Sequence, residues 1–179
     1  MNYKQVLDFW FDPENKEFWF SKSDEFDLEL EEKFGHTLQQ AMQCELWTWR
    51  ETAEGRLAEI IVLDQFSRNL FRDHPASFAQ DPLALSLAQE AVRLGLDQQL
   101  APDQRCFMYM PFMHSESKII HAQALQLFEA LGNPINLDFE LKHKTIIDRF
   151  GRYPHRNQIL ERESTTEEVE FLTQPNSSF

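Results

Sequence analysis

Cysteine and glycine are both scarce in this 179-residue chain, which carries two cysteines, Cys44 and Cys106, and five glycines. Two thiols far apart in sequence make neither a disulfide framework nor a CxxC zinc pattern, and they fit the reduced, buried thiols of a cytoplasmic protein. So few glycines argue against a turn-rich all-β fold. No stretch approaches the ~18 apolar residues of a membrane span. The opening "MNYKQVLDFWF" lacks the basic n-region of a signal peptide. Positive charge is short as well: 17 Lys and Arg against 30 Asp and Glu leave a formal net charge of −13. A field of that sign repels phosphate backbones and anionic membranes, so no nucleic-acid or membrane partner is expected. The chain has no Walker loop, G-x-G-x-x-G, G-x-S-x-G elbow or HExxH pair, so no cofactor or metal site is expected. His114, Glu116 and His121 could be drawn together, but their spacing is not that of a zinc set.

What is present is apolar spacing of helical period nearly everywhere. Sixteen phenylalanines and 42% hydrophobic residues provide for a thick core. Short helical segments are expected at 3–11 and 101–110, and long ones at 23–43, 53–72, 81–95, 115–132 and 136–151. A tail helix over 164–173 opens on a capping box, Thr165 with Glu168. Ser23, Asp81 and Ser115 read as N-caps. Gly95, Gly132 and Gly151 read as helix ends. Pro111 reads as a helix break. The expectation is a single all-α domain over 1–179, an array of seven or eight antiparallel helices joined by short loops. The aromatic runs "VLDFWF" and "EFWF" are expected in the core.

Three constellations carry chemistry. "RFGRYPHRN" (149–157) gathers Arg149, Arg152, His155, Arg156 and Asn157 at a helix end and a turn, where several side chains can converge. Crowded guanidiniums need a negative partner, either a bound carboxylate or phosphate or a protein carboxylate such as Asp64 or Glu116. In "LDQFSRNLFR" (63–72), Asp64, Arg68 and Arg72 recur four apart on an otherwise apolar helix face. In "YMPFMHSES" (109–117), His114 and Glu116 flank the start of the next helix. With His143, His114 and His155 make three histidines beside charged elements, suited to proton transfer near neutrality.

Taken in order, "VLDFWF", "LDQFSRN", "FAQDPLALSLA", "YMPFMHSES", "FGRYPHRN" and "STTEEVEFL" resemble the DUF924 family of uncharacterised bacterial proteins over almost the whole chain. The resemblance implies an all-α fold similar to tetratricopeptide-like (TPR-like) helical hairpins and implies no activity. Two positions depart from the pattern: Ser67 stands where proline is expected, and Glu161 where glycine is expected.

Three readings follow. In the first, a pocket binds a small anionic or polar metabolite. Arg68, Arg72, Arg149, Arg152, Arg156, Asn157 and His143 would hold it, and His114, His155, Glu116 and Asp64 would supply acid and base. In the second, a stacked-helix groove binds a peptide or protein partner. In the third, the same charges form an internal network that fixes the C-terminal turn.

Overall fold

The computed structural model describes residues 1–178. It is all-helical, with no strand among those residues. The α-helices are α1 (Tyr3–Trp10), α2 (Asp24–Met42), α3 (Ala53–Ile61), α4 (Ser67–Leu70), α5 (Asp81–Arg93), α6 (Pro102–Met113), α7 (Lys118–Leu131), α8 (Pro134–Phe150) and α9 (Thr166–Phe171), with short 3₁₀ turns between several of them. Contacts divide the chain into two compact units. Unit 1 is Met1–Arg72 with Ala76–Pro111, and unit 2 is Asp73–Pro75 with Phe112–Phe179. The division at Pro111–Phe112 falls inside α6 rather than in a linker, which is why no composition shift in the sequence marks it.

Local chemistry sets most helix ends. The Ser23 side chain accepts from the Phe26 N–H at the start of α2, with Asp24, Glu25 and Asp27 in the first turn. Asn133 caps α8 ahead of Pro134. Gly132 and Gly151 end α7 and α8 in the left-handed conformation (φ 74° and 70°). Thr165 and Glu168 form the reciprocal capping box of α9.

Four boundaries differ from the sequence expectations. Asp81 is the first residue of α5 rather than its cap, because Arg68 takes both of its carboxylate oxygens (2.9 and 3.0 Å). Pro111 does not break α6, which runs on to Met113. Ser117, not Ser115, occupies the cap position of α7. The long helix expected over 53–72 is realised as α3 and α4 joined by a π-turn, Val62–Phe66. That turn absorbs one extra residue without ending the rod, so α3 to α4 count as one of eight helices.

Unit 1 is built on aromatics. Trp10 is fully buried and packs on Phe26, Phe66 and Phe107 with ring centroids 5.5–6.3 Å apart. Trp19 stacks beside it and donates from Nε1 to the Trp10 carbonyl (2.8 Å). The "VLDFWF" run thus serves the core through Val6, Leu7 and Trp10, whereas "EFWF" does so only in part: Phe18 and Trp19 are half-buried and Phe20 is 71% exposed, against the expectation. Ser67 lies fully buried after the π-turn, and its hydroxyl finds no hydrogen-bond partner among the described residues. In unit 2, α7 and α8 pack as a hairpin joined by Gly132 and Asn133. Ile146, Ile147 and Tyr153 form a small core there with Phe150 and Phe171.

Two helical turns close on a non-glycine residue. In one, the Glu45 N–H bonds the Gln40 carbonyl (2.9 Å) and the Cys44 N–H bonds that of Ala41 (2.9 Å), with Cys44 at φ 58°. In the other, the Arg162 N–H bonds the Asn157 carbonyl (2.8 Å) and the Glu161 N–H bonds that of Gln158 (3.3 Å), with Glu161 at φ 54°. Both have the paired hydrogen bonds of a Schellman motif, whose left-handed position favours glycine. The tight turn at Glu161 therefore forms without the expected glycine, at the cost of a left-handed side chain. Glu161→Gly is expected to stabilise the protein by about 0.5–1 kcal/mol, raising Tm by about 1–4 °C. A melting curve of the variant checks this, and an unchanged or lower Tm would mean that the turn carries no strain.

Candidate functional site

Unit 2 gathers its chemistry around Tyr153, which is fully buried where the chain leaves α8. Its N–H donates to Glu116 Oε1 (2.7 Å) and its carbonyl accepts from Arg162 Nη2 (3.1 Å). Its hydroxyl donates to the Met113 carbonyl (2.5 Å) and lies 3.1 Å from His121 Nε2. His121 Nε2 is also 2.8 Å from the Ser115 carbonyl, and Nδ1 is 2.8 Å from Glu140 Oε1. A carbonyl can only accept, so Nε2 carries the hydrogen. His121 and Glu140 then share one further proton between Nδ1 and the carboxyl. Both side chains are fully buried, and Glu140 Oε2 has no hydrogen-bond partner among the described residues. Burial pushes the Glu140 carboxyl above the usual range, against the opposing pull of His121.

His143 and His155 stand on two other sides of the same ring, with centroids 5.7 and 5.5 Å from that of Tyr153. His143 Nδ1 donates to the Phe139 carbonyl (2.7 Å), one turn back in α8. Burial lowers its pKa to about 3, and the neighbouring His114, His121 and His155 add to the effect. His143 is therefore a neutral imidazole at physiological pH. Arg156 lies over the Tyr153 ring (4.6 Å) and donates from Nη2 to the His114 carbonyl (3.1 Å). His114, Glu116 and His155 are half-buried and form the solvent-facing rim.

Most arginines of the cluster are held by carboxylates. Arg152 grips Glu168 through Nε and Nη2 (2.7 and 2.8 Å), and this pairing holds the Glu168 carboxyl at about 2. Arg149 pairs with Glu167 (2.8 Å). Arg162 forks onto Glu116 (2.6 and 2.9 Å). Burial alone would raise the Glu116 carboxyl, but Arg162 and the Tyr153 N–H hold it below the usual range. The carboxylates that meet Arg149 and Arg152 are thus Glu167 and Glu168, in place of the expected Asp64 and Glu116. Asn157 is buried and already engaged: it accepts from Arg162 Nε (3.0 Å) and donates to Ser164 (3.0 Å).

The second constellation lies in unit 1. The π-turn and the end of α4 at Leu70 divide the strip expected on one helix face. Arg68 Nη1 turns back to the Asp64 carbonyl (2.7 Å) and to Asp64 Oδ1 (3.1 Å), while also holding Asp81. Gln65 donates to Asp64 Oδ2 (2.5 Å). Arg72 reaches α2 instead, forking onto Asp27, which also accepts from Asn69 (2.7 Å). Among the described residues, no three His, Cys, Asp or Glu side chains are grouped as metal ligands. No described helix is long and apolar enough to cross a membrane.

Sequence reasoning missed Tyr153, His121, Glu140 and Arg162 as site residues. A signal existed for two of them. His121 shares a helical stripe with Ala124 and Phe128, and Glu140 one with His143 and Ile147; a polar group on an apolar stripe has to find a buried partner. Nothing local marks Arg162, whose partner Glu116 lies far back in the chain.

The model of the family described as "Bacterial protein of unknown function (DUF924)" matches residues 6–176. A solved structure of the protein of unknown function ATU0120 from Agrobacterium tumefaciens is similar over 95% of this chain and 96% of its own, at 40% identity and a TM-score of 0.90. No curated protein matches.

Proposed function

Since the chain belongs to DUF924, a bacterial family of unknown function, the reading rests on the site alone, and we propose that the rim of the Tyr153 cluster binds a small anionic or polar metabolite. His114 and His155 would face it and exchange protons with it, Arg156 would attract its negative charge, and Glu116 would keep the rim in register. One observation carries this reading: His121, His143 and His155 come from separate elements to pack around one tyrosine, and His114 lies close enough to His143 to act on its charge. Clustered imidazoles with a shifted pKa among them are more typical of a proton-transfer site than of a turn held for stability. Asp64, Arg68, Arg72, Arg149, Arg152 and Asn157 are left out of the ligand set, because their side chains are engaged with protein groups as described.

A purely structural role is the second reading, favoured by the carboxylate partners of Arg149, Arg152 and Arg162. A thermal-shift panel of amino acids, short carboxylates, nucleotides and phosphates separates the two. A ligand at 100 times its Kd adds about 2.7 kcal/mol, or about 5–11 °C in a chain of this size. The expected result is a hit that disappears in both His114→Gln and His155→Gln while each variant keeps its parent Tm within a few degrees. A flat panel, with both variants melting far below the parent, would leave the structural reading standing.

A further inference from the structure

A second basic cluster lies in unit 1, far in sequence from the Tyr153 turn and untouched by the reading above. A surface depression of about 570 Å3 is lined by Arg50, Arg56, Ser86, Gln89, Glu90 and Arg93. Its geometry begins with a glycine. A Cβ on Gly55 would lie 2.0 Å from the Trp49 carbonyl, so glycine alone lets the first turn of α3 pack this close to the residue before Arg50. That close approach places Arg50 and Arg56 on the wall of one depression, and α5 supplies the other wall with Ser86, Gln89, Glu90 and Arg93.

The three guanidiniums are not equivalent. Arg50 gives Nε and Nη2 to the fully buried carboxylate of Glu59 (2.7 and 2.6 Å). Arg93 gives Nε and Nη2 to Glu90 (2.7 Å each). Arg56 makes no such fork: its Nε–H is buried and finds no hydrogen-bond partner among the described residues, and its charge meets Glu90 only through space. An orphaned charged donor beneath an open depression is costly, and in native proteins it calls for a specific explanation. Three guanidiniums against two carboxylates also leave one positive charge in excess here, on a chain whose net charge is −13. The excess sits on the residue that makes no such fork.

We propose that this depression is an oxyanion site in which Arg56, flanked by Arg50 and Arg93, holds a phosphate or the phosphoryl group of a small polar metabolite. A tetrahedral anion offers several acceptor oxygens. It can bridge the terminal guanidinium nitrogens of Arg56 to a neighbouring guanidinium, Ser86 or Gln89. The volume suits a small metabolite rather than a bare ion. The lining has no aromatic ring on which a nucleobase could stack, so the favoured ligand is a phosphorylated polar compound rather than a nucleotide.

The probe is inorganic phosphate, titrated into the full chain against sodium chloride of equal ionic strength, with the arginine Nε–H resonances followed by NMR and Tm measured in parallel. The expected result is a saturable shift of the Arg56 Nε–H resonance with a rise in Tm. Both should be lost in Arg56→Gln, weakened in Arg93→Gln and retained in His155→Gln. The NMR readout uses the unmodified protein, so it holds even if a variant folds poorly. Repeating the titration with a phosphomonoester such as glycerol phosphate distinguishes a metabolite site, which binds the ester more tightly, from a site for free phosphate. No saturable effect beyond that of chloride, or an effect that survives Arg56→Gln, would overturn the proposal. Loss of the effect in His155→Gln alone would place phosphate at the Tyr153 rim and overturn it as well.

Discussion

His121→Leu is expected to destabilise the protein by about 3–5 kcal/mol, lowering Tm by about 6–20 °C. The substitution removes the partner of a fully buried carboxylate that already has one oxygen without a hydrogen bond among the described residues. It also takes a donor from the Ser115 carbonyl and from the Tyr153 hydroxyl, both of which help anchor the turn after α8 to the start of α7. Glu140→Leu should cost less. Its burial already disfavours the charged form, and the imidazole left behind keeps the Ser115 carbonyl as its partner. The double change to leucine at both positions should be more stable than His121→Leu alone, because an apolar pair has no desolvated group to leave unmatched. Urea unfolding of the two single variants and the double variant completes the cycle. Simple additivity would show that the two groups do not share a proton or an ion pair.

Those two residues also mark how far the sequence is legible. Helix ends written in local chemistry could be read directly: Ser23, the Thr165–Glu168 box, Gly132 and Gly151 each act within a few residues of themselves. The all-α class followed from the period of the apolar residues. What could not be read depends on tertiary partners. Asp81 looks like a cap until Arg68 takes its carboxylate. Arg72 looks like the next member of a helix stripe until the π-turn and Asp27 redirect it. Pro111 looks like a break, yet α6 continues through it. Glu168 reads as a capping residue, but nothing local shows that the same carboxylate also holds Arg152. For the candidate site, the histidines and arginines could be named from sequence. Tyr153, the residue they surround, could not be singled out, because its role comes from contacts with distant segments.

The tuning of these groups gives the protein an acid limb with two separable parts. His143 has an ordinary pKa of 6.5 in the unfolded chain and about 3 in the fold, so between these values the unfolded state binds a proton that the native state refuses. Stability should therefore be unaffected by this group above about pH 6.5 and fall by about 1.4 kcal/mol per pH unit below it, until the folded pKa is reached. Glu168 acts lower. Its carboxyl drops from 4.5 to about 2 through Arg152, so its contribution is complete above about pH 4.5 and lost as pH falls toward 2. His143→Phe keeps an aromatic edge against Tyr153 while removing the titrating nitrogen, and should flatten the decline between pH 6.5 and 4.5. Glu168→Gln keeps a side chain able to close the capping box, and should leave that upper range intact while flattening the range below it. Urea midpoints measured from pH 7 to pH 3 resolve the two. If His143→Phe leaves the upper slope unchanged, His143 is not held neutral by its burial.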